Sequence, residues 1–207
     1  MKFLLGTKQG MTQIFDENGN VLVATVVSAG PLKVLQIKTK EIDGYTAVQV
    51  GSLEQKESRI KKAQKGHFQK SGGTPFKYVR EFRISDDITP DVKIGDSYDA
   101  SVFSSGDIIT VSGITKGKGF QGVVKRHGFS GGPRTHGQKH SEREGGSIGA
   151  KGPQRVFKKR KMPGRMGSDR ISVKNLKIIA VNPEKKQLLV SGAVPGRRGT
   201  LLEIKGI

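Results

Sequence analysis

Residues 116–170 carry most of the positive charge of this 207-residue chain and few of the side chains that could build a core. This basic segment holds 15 Lys or Arg against three acids, so +12 of the total net charge of +19 lies in 55 residues. It also contains 13 glycines and only ten apolar side chains. Ordering each residue costs about 1–2 kcal/mol of backbone entropy, and so few apolar groups cannot offset that cost by burial. We therefore expect the basic segment to gain its structure from a polyanionic partner.

The overall composition narrows the choice of partner. A sequence pI near 10.2 points first to nucleic acid and second to an anionic membrane. The chain has no cysteine, which excludes disulfides, thiolate zinc sites and cysteine nucleophiles. The apolar stretch before Gly6 is too short for a signal peptide, and no apolar run approaches 18 residues. We expect a cytoplasmic protein with no membrane partner.

The regions on either side of the basic segment are typical of short β-strands. Val21–Ser28 is rich in β-branched residues, and Asn18-Gly19 before it suits a tight hairpin turn. Regular spacing of strands and turns indicates antiparallel pairing in a sandwich or small barrel. Strands are predicted at Phe3–Phe15, Val21–Ser28, Lys33–Thr39, Thr46–Val50, Tyr78–Ile84, Ser97–Phe103, Asp107–Ile114, Leu176–Val181, Leu188–Ser191 and Thr200–Ile204.

This pattern predicts two parts. Residues 1–115 and 171–207 form a β-domain, with an exposed basic insertion at about 55–75 that contains a short helix over Ser58–Gln64. Residues 116–170 form an extension that leaves the β-domain at Gly113 and returns near Ile171. If the extension runs out and back, each arm can reach at most about 80 Å, at roughly 3.3 Å per residue.

One string in the basic segment matches a nucleotide-binding motif. Gly117–Gly122 fits G-x-G-x-x-G, but a dinucleotide site also needs a helix, a second parallel strand and an acid at the end of that strand. Glu142 lies 20 residues after Gly122, but the residues between them include Gly131-Gly132-Pro133 and show no strand pattern. A dinucleotide site is therefore not expected. A strand-to-helix turn is the simpler interpretation. The preferred functional interpretation is that the glycines let the backbone approach a phosphate. The cations around that phosphate would be Lys116, Lys118, Lys125 and Arg126.

Two further strings suggest catalysis or metal binding and fail on context. Gly145–Gly149 fits the nucleophile elbow G-x-S-x-G, but all four histidines precede Ser147, which is the wrong order for such hydrolases. His136 and His140 stand four apart, but the proline and glycine around them disfavour the helix that would bring them together on a metal. Stacking on a base or bonding to a phosphate suits these histidines better. We expect no catalytic residue, no metal, no cofactor and no small-molecule substrate.

The run Arg155–Lys161 strengthens the case for nucleic acid. Phe157, Met162 and Met166 are interleaved with the cations and could lie against bases and sugars, whereas a merely solvated face needs no such groups. RNA is favoured over DNA because no helix-turn-helix, zinc finger or basic zipper is visible and a glycine-rich arm suits irregular RNA. The predicted RNA-binding residues are Lys116, Lys118, Lys125, Arg126, His127, Arg134, His136, Lys139, His140, Lys151, Arg155, Lys158, Lys159, Arg160, Lys161 and Arg165.

Several strings resemble a known family in the same order along the chain. Gly113–His127 resembles the signature of the ribosomal protein L3 family of the large subunit, in its bacterial form. The resemblance covers nearly the whole chain. It continues through Leu5–Gln13, Gly66-His67-Phe68, Gly145–Gly149, Lys161–Gly167 and Gly192–Gly196.

The resemblance implies both a fold and a role. It implies a six-stranded β-barrel like that of translation factors, binding to large-subunit ribosomal RNA early in assembly, and neighbouring large-subunit ribosomal proteins as partners. It also implies an extension that reaches toward the peptidyl transferase centre without doing chemistry there. Ala150 stands where many bacterial members have a glutamine that is methylated in some, so that modification is not possible here.

The alternative to a ribosomal role is a general, DNA-compacting protein. Equal binding to duplex DNA and to large-subunit RNA at matched salt would favour that alternative. Deleting Gly128–Pro163 is expected to leave a folded β-domain with much lower RNA affinity.

Overall fold

The computed structural model describes residues 2–84 and 92–206. Residues Thr115–Arg170, which contain the basic segment, form one compact unit, and the rest of the described chain forms the other. In chain order, the Thr115–Arg170 unit follows one strand and precedes the next strand of the same barrel. No helix in the described ranges is long and apolar enough to cross a membrane.

Six strands of the larger unit close into an antiparallel barrel, which confirms the predicted fold class. Around the barrel, the strands follow the order first, twelfth, seventh, tenth, eleventh and second. Every neighbouring pair whose register is described is antiparallel. The six are β1 (Phe3–Phe15), β2 (Val21–Ser28), β7 (Ile108–Ile114), β10 (Arg170–Asn182), β11 (Gln187–Ser191) and β12 (Leu201–Gly206).

Alternating side chains fill the barrel. On β12, Leu202 and Ile204 are fully buried and the residues between them are not. The same alternation places Leu188 and Val190 of β11 in the core, because successive side chains of a strand point to opposite faces. These residues join one continuous apolar cluster with the second sheet described below.

The segment between β2 and β7 builds a separate four-stranded sheet. Across this sheet the strands follow the order fifth, fourth, third and sixth, so the third and fourth strands are central. A bulge between Val34 and Gln36 places Val34 and Ile37, three residues apart, against the main core. The strands are β3 (Leu32–Lys38), β4 (Ala47–Glu54), β5 (Phe76–Arg83) and β6 (Ser97–Tyr98).

The other face of this sheet carries a second, small core. Leu35 of β3, Phe76 of β5, Ile60 and Phe68 are buried together there, with the rings of Phe68 and Phe76 6.1 Å apart and nearly perpendicular. Phe68 belongs to helix α2 (Lys62–Gln69), which follows the short helix α1 (Lys40–Asp43) in the chain. A 3-10 turn at Glu57–Arg59 leads into Ile60.

The structure refines one expectation and corrects two. The first four strands, for which the sequence left a sandwich or a small barrel open, divide between the barrel (β1 and β2) and the second sheet (β3 and β4). The predicted strand Ser97–Phe103 ends at Tyr98, since Asp99 accepts a hydrogen bond from the Ser101 amide and starts a 3-10 turn. The helix predicted over Ser58–Gln64 lies instead at Lys62–Gln69, and its region is not wholly exposed because Phe68 packs against the sheet.

Candidate nucleic-acid interface

A short hairpin joins the two ends of the basic segment. Strand β8 (Gly119–Gln121) pairs antiparallel with β9 (Gly164–Met166), which sets Phe120 opposite Arg165. The Lys118 amide extends this ladder by donating to the Met166 carbonyl oxygen at 3.0 Å. The beginning and the end of the segment therefore lie side by side, with residues 122–163 between them.

Helix α3 (Val123–His127) follows β8 after a single glycine. It ends at Gly128, whose φ of +72° is the left-handed conformation that glycine adopts readily at a helix end. Gly122 therefore forms a strand-to-helix turn, although the string Gly117–Gly122 that predicted it also contains the strand β8. A dinucleotide site requires parallel strands, whereas β8 is paired antiparallel.

Two predicted RNA-binding residues on α3 contact the segment's own backbone. Arg126 Nη1 donates to the Met162 carbonyl oxygen at 2.6 Å, and His127 Nε2 lies 3.0 Å from the same oxygen. A Cβ at Gly164 would come within 2.8 Å of Arg126 Nη1, so a side chain there would displace the guanidinium from its present position. Both side chains are half-buried and hold α3 against the returning chain.

The base of the segment is closed by a second set of contacts. The Thr115 amide donates to the Asp169 carbonyl oxygen at 2.9 Å, and the Asp169 amide donates to Thr115 Oγ1 at 3.2 Å. Gly167 has a φ of +76°, and a Cβ there would collide with the Lys116 carbonyl oxygen. Only glycine combines that conformation with so close an approach.

The loop after α3 carries two of the three acids of the segment, Glu142 and Glu144. The Gly132 amide donates to the Glu142 carbonyl oxygen at 2.9 Å, and the Glu142 carboxylate pairs with Arg134 at 2.8 Å. A cleft of about 530 Å³ lies here, bounded mainly by residues 128–132 and 144–146. Its lining contains Glu144 and no Lys or Arg, so this cleft presents no side-chain cation to a phosphate.

A second cleft, of about 550 Å³, combines cations with exposed apolar groups. It lies between Ser147–Ala150 and Phe157–Arg160. Phe157 is 57% exposed and Ile148 is 50% exposed, although both are large apolar side chains. An exposed aromatic ring beside Lys and Arg can stack on a base while the cations bind the neighbouring phosphates.

Very little of the basic segment is buried. The structure describes all 55 residues, and only Val123 and Gly167 among them are buried. Fourteen of the sixteen predicted RNA-binding side chains belong to exposed residues. They are Lys116, Lys118, Lys125, Arg134, His136, Lys139, His140, Lys151, Arg155, Lys158, Lys159, Arg160, Lys161 and Arg165.

The segment neutralises few of its own cations. Arg134 pairs with Glu142, and Arg165 pairs with Asp169 at 3.1 Å. Both pairs are exposed, and such pairs contribute about 0–1 kcal/mol each. Arg160 instead donates to the Ser147 carbonyl oxygen. The lysines of the segment have no carboxylate partner among the described residues, so their charges remain available to a polyanion.

His136 and His140 belong to no larger cluster of metal-ligating side chains among the described residues. In the ranges that the structure describes, no group of three or more His, Cys, Asp or Glu side chains could hold an ion. His136 and His140 are both exposed on the loop that follows α3.

Sequence reasoning overlooked two apolar groups. Phe120, 75% exposed on β8, and Ile148 in the second cleft are accessible to a partner and lie among cations. A large apolar residue next to a glycine, as at Gly119-Phe120 and Ile148-Gly149, is the signal that could have identified both. The described residues thus define a class, a closed β-barrel protein with an inserted, exposed and cationic segment.

Comparison with known proteins agrees with this class. The family described as "Ribosomal protein L3" matches residues 23–194. The chain is 50% identical to large ribosomal subunit protein uL3 of Desulfitobacterium hafniense (strain Y51), over 99% of this chain and 95% of the relative. It is 47% identical to the protein of that name from Finegoldia magna, over 99% and 97% of the two chains. The relative from Carboxydothermus hydrogenoformans is 48% identical, with 99% and 96% covered.

These matches extend over nearly the full chain and include both units. The chain belongs to the ribosomal protein L3 family, a family of structural proteins that are not enzymes. The family predicted from the sequence strings is therefore confirmed.

Proposed function

We propose that this chain is a structural constituent of the large ribosomal subunit that binds large-subunit ribosomal RNA through the basic segment and helps to nucleate assembly. The supporting observation is the exposure of fourteen predicted RNA-binding residues with only two carboxylate partners among them. The entropic cost of ordering such a segment is met by the RNA, because few of its residues are buried in the protein. Neighbouring large-subunit proteins are the other partners, and the cytoplasmic ribosome is the location.

Neutralising part of the basic run tests the RNA contact. Lys158→Gln, Lys159→Gln and Lys161→Gln together remove three exposed charges that make no described ion pair. If each binds one phosphate, the slope of log affinity against log salt becomes shallower by about 2–3, since each contact contributes about 0.7–0.9. Filter binding of deproteinised large-subunit ribosomal RNA, at salt concentrations from about 50 to about 200 mM, measures the slope.

A matched variant controls for charge alone. Lys174→Gln, Lys177→Gln and Lys185→Gln remove three exposed cations from the other unit. A slope that changes equally in both variants would contradict a specific role for the basic run. Equal affinity of the unaltered chain for duplex DNA would favour the DNA-compacting alternative instead.

We further propose that, within the subunit, the basic segment reaches toward the peptidyl transferase centre. The chain has no cysteine, so Ala150→Cys provides a single attachment point for a radical-generating iron chelate. In reconstituted subunits we expect RNA cleavage around the peptidyl transferase centre from this position. Asn18→Cys, in the turn between β1 and β2, should give a different set of cleavages. Cleavage by the Ala150→Cys derivative only at distant RNA would refute this position.

A further inference from the structure

A second cationic surface lies in the larger unit, outside the predicted RNA-binding residues. We call it the α2 surface, because helix α2 forms its centre. Its members are basic and exposed. Among the residues that the structure describes, a single carboxylate, Glu57, pairs with one of them at 3.7 Å. They are Lys56, Arg59, Lys61, Lys62, Lys65, Lys70 and Lys77.

The α2 surface is held firmly by the sheet below it. Phe68 is buried against Leu35 and Phe76. His67 hydrogen-bonds through Nε2 to Gln49 Oε1 of β4, and Gln49 Nε2 donates to Glu81 Oε1 at 3.0 Å. The inner side of the helix is thus fixed by both apolar and polar contacts. The lysines are therefore presented on a rigid support, which lowers the entropic cost of binding a partner.

The charges on α2 oppose the stability of the helix itself. Lys61 immediately precedes the helix and Lys62 begins it, and its first turn contains no acid. Cations are unfavourable near a helix N-terminus, where the backbone dipole is positive. The position of these two lysines therefore does not stabilise the helix of the free protein.

Gly66 in the middle of α2 gives an independent indication. Glycine destabilises a helix interior relative to alanine. A Cβ at Gly66 would meet nothing within 4 Å, so no contact inside the protein requires the glycine. With 100° per residue, Gly66 lies on the same outward side as Lys62, opposite the side that buries Phe68. The missing side chain leaves bare backbone beside a lysine, where a partner can approach closely.

Three cations of the α2 surface also line a groove. It has a volume of about 520 Å³ and lies between the end of β4 and the 3-10 turn. Lys56, Arg59 and Lys77 line it, with Glu54 as the one acid. Three cations around one groove of this size suit the phosphates of a nucleic acid backbone.

We infer that the α2 surface is a second RNA-backbone-binding site, separate from the basic segment. It goes beyond the function proposed above, which assigns RNA binding to the basic segment alone. The RNA backbone lies across the outward side of α2 at Gly66, where Lys62 binds one phosphate. Lys65, exposed on the flank of the helix, binds another. Such a surface recognises a sugar-phosphate backbone rather than a base sequence.

The glycine provides the sharper test, because stability and binding should change in opposite directions. In the full chain, Gly66→Ala is expected to raise the melting temperature by a few degrees and to weaken binding of deproteinised large-subunit ribosomal RNA at least fivefold. Ala63→Gly, also exposed on α2, is the reciprocal control. It should lower the melting temperature and leave the affinity within twofold, measured where the protein is fully folded.

The lysines provide a second readout that does not depend on helix stability. Lys62→Gln with Lys65→Gln should make the salt slope shallower by about 1–2, from two lost phosphate contacts. Lys93→Gln with Lys185→Gln, both exposed in the same unit, should leave the slope unchanged. Unchanged RNA affinity in the Gly66→Ala protein, or an unchanged slope in the Lys62/Lys65 double variant, overturns the inference.

The tests of the α2 surface and of the basic segment can succeed or fail separately. If the Lys158, Lys159 and Lys161 variant loses affinity and the α2 variants do not, only the second site is wrong. If the α2 variants lose affinity and the basic-run variant does not, the second site stands and the function proposed for the basic segment fails.

Discussion

The barrel and the basic segment differ in how many of their side chains are buried. In the barrel, side chains such as Leu202 and Ile204 are fully buried, and the strands pair around a closed circuit. In the basic segment, only Val123 and Gly167 are buried, and the order comes from a short hairpin and backbone hydrogen bonds. The difference shows that one unit is stabilised by removing apolar groups from water, whereas the other keeps its charged groups available to a partner.

The largest expected effect comes from the barrel core. Leu202→Ala removes a fully buried side chain and should lower the free energy of unfolding by about 2–5 kcal/mol. Phe157→Ala, on the exposed cleft of the basic segment, should change it by less than about 0.5 kcal/mol. Chemical denaturation followed by circular dichroism measures both. A loss of stability in the Phe157 variant comparable to that in the Leu202 variant would remove the contrast between the two units.

A smaller, local effect is expected at the base of the basic segment. Gly167→Ala places a Cβ against the Lys116 carbonyl oxygen in a left-handed conformation, and such strain costs about 1–3 kcal/mol. The strain falls on contacts within the segment, so proteolysis between residues 116 and 170 should become faster while the barrel stays resistant. Gly152→Ala, where a Cβ would meet nothing within 4 Å, is the matched control. Equal proteolysis in the two variants would show that the close approach at Gly167 is unimportant.

The two regions also differ in how far the sequence predicts them. The barrel strands follow from alternating apolar residues and turn signals, and Val21–Ser28 is found with the predicted bounds. The division into two sheets does not follow, because it depends on which strands pair over long distances and on the bulge after Val34. The helix near residue 60 was misplaced because its one buried residue, Phe68, lies beyond the predicted end.

The candidate interface is predicted in composition but not in geometry. Charge and glycine content identify the segment and its cations. They do not show that Arg126 and His127 contact the Met162 carbonyl oxygen, because that pairing joins residues 35 and 36 positions apart. Nor do they reveal the cleft beside Phe157, whose two sides come from separate stretches of chain.

The smallest expected effect concerns the polar network on the outer face of the second sheet. Burial acts to raise the pKa of Glu81, but hydrogen bonds from Lys38, Tyr45 and Gln49 outweigh it, so the pKa of Glu81 is lowered. Lys38, 2.9 Å from the carboxylate, has its pKa raised, first by the hydrogen bond with Tyr45 and then by Glu81. A lowered carboxyl pKa stabilises the folded state above the unfolded pKa of about 4.3, and this contribution is lost as pH falls through the folded value.

Glu81→Gln should therefore be less stable than the unaltered chain at pH 7, and the difference should shrink as the pH falls below about 4.3. Thermal unfolding at a series of pH values measures it, with Glu17→Gln in the exposed turn after β1 as the control. Because the network links β4 and β5 to His67 of α2, the variant should also loosen the α2 surface, seen as faster amide exchange over Lys62–Gln69. A pH-independent difference between the two proteins would show that the Glu81 carboxylate does not stabilise the sheet through its charge. The amide exchange rates of the basic segment should not respond, since none of these hydrogen bonds involves that unit.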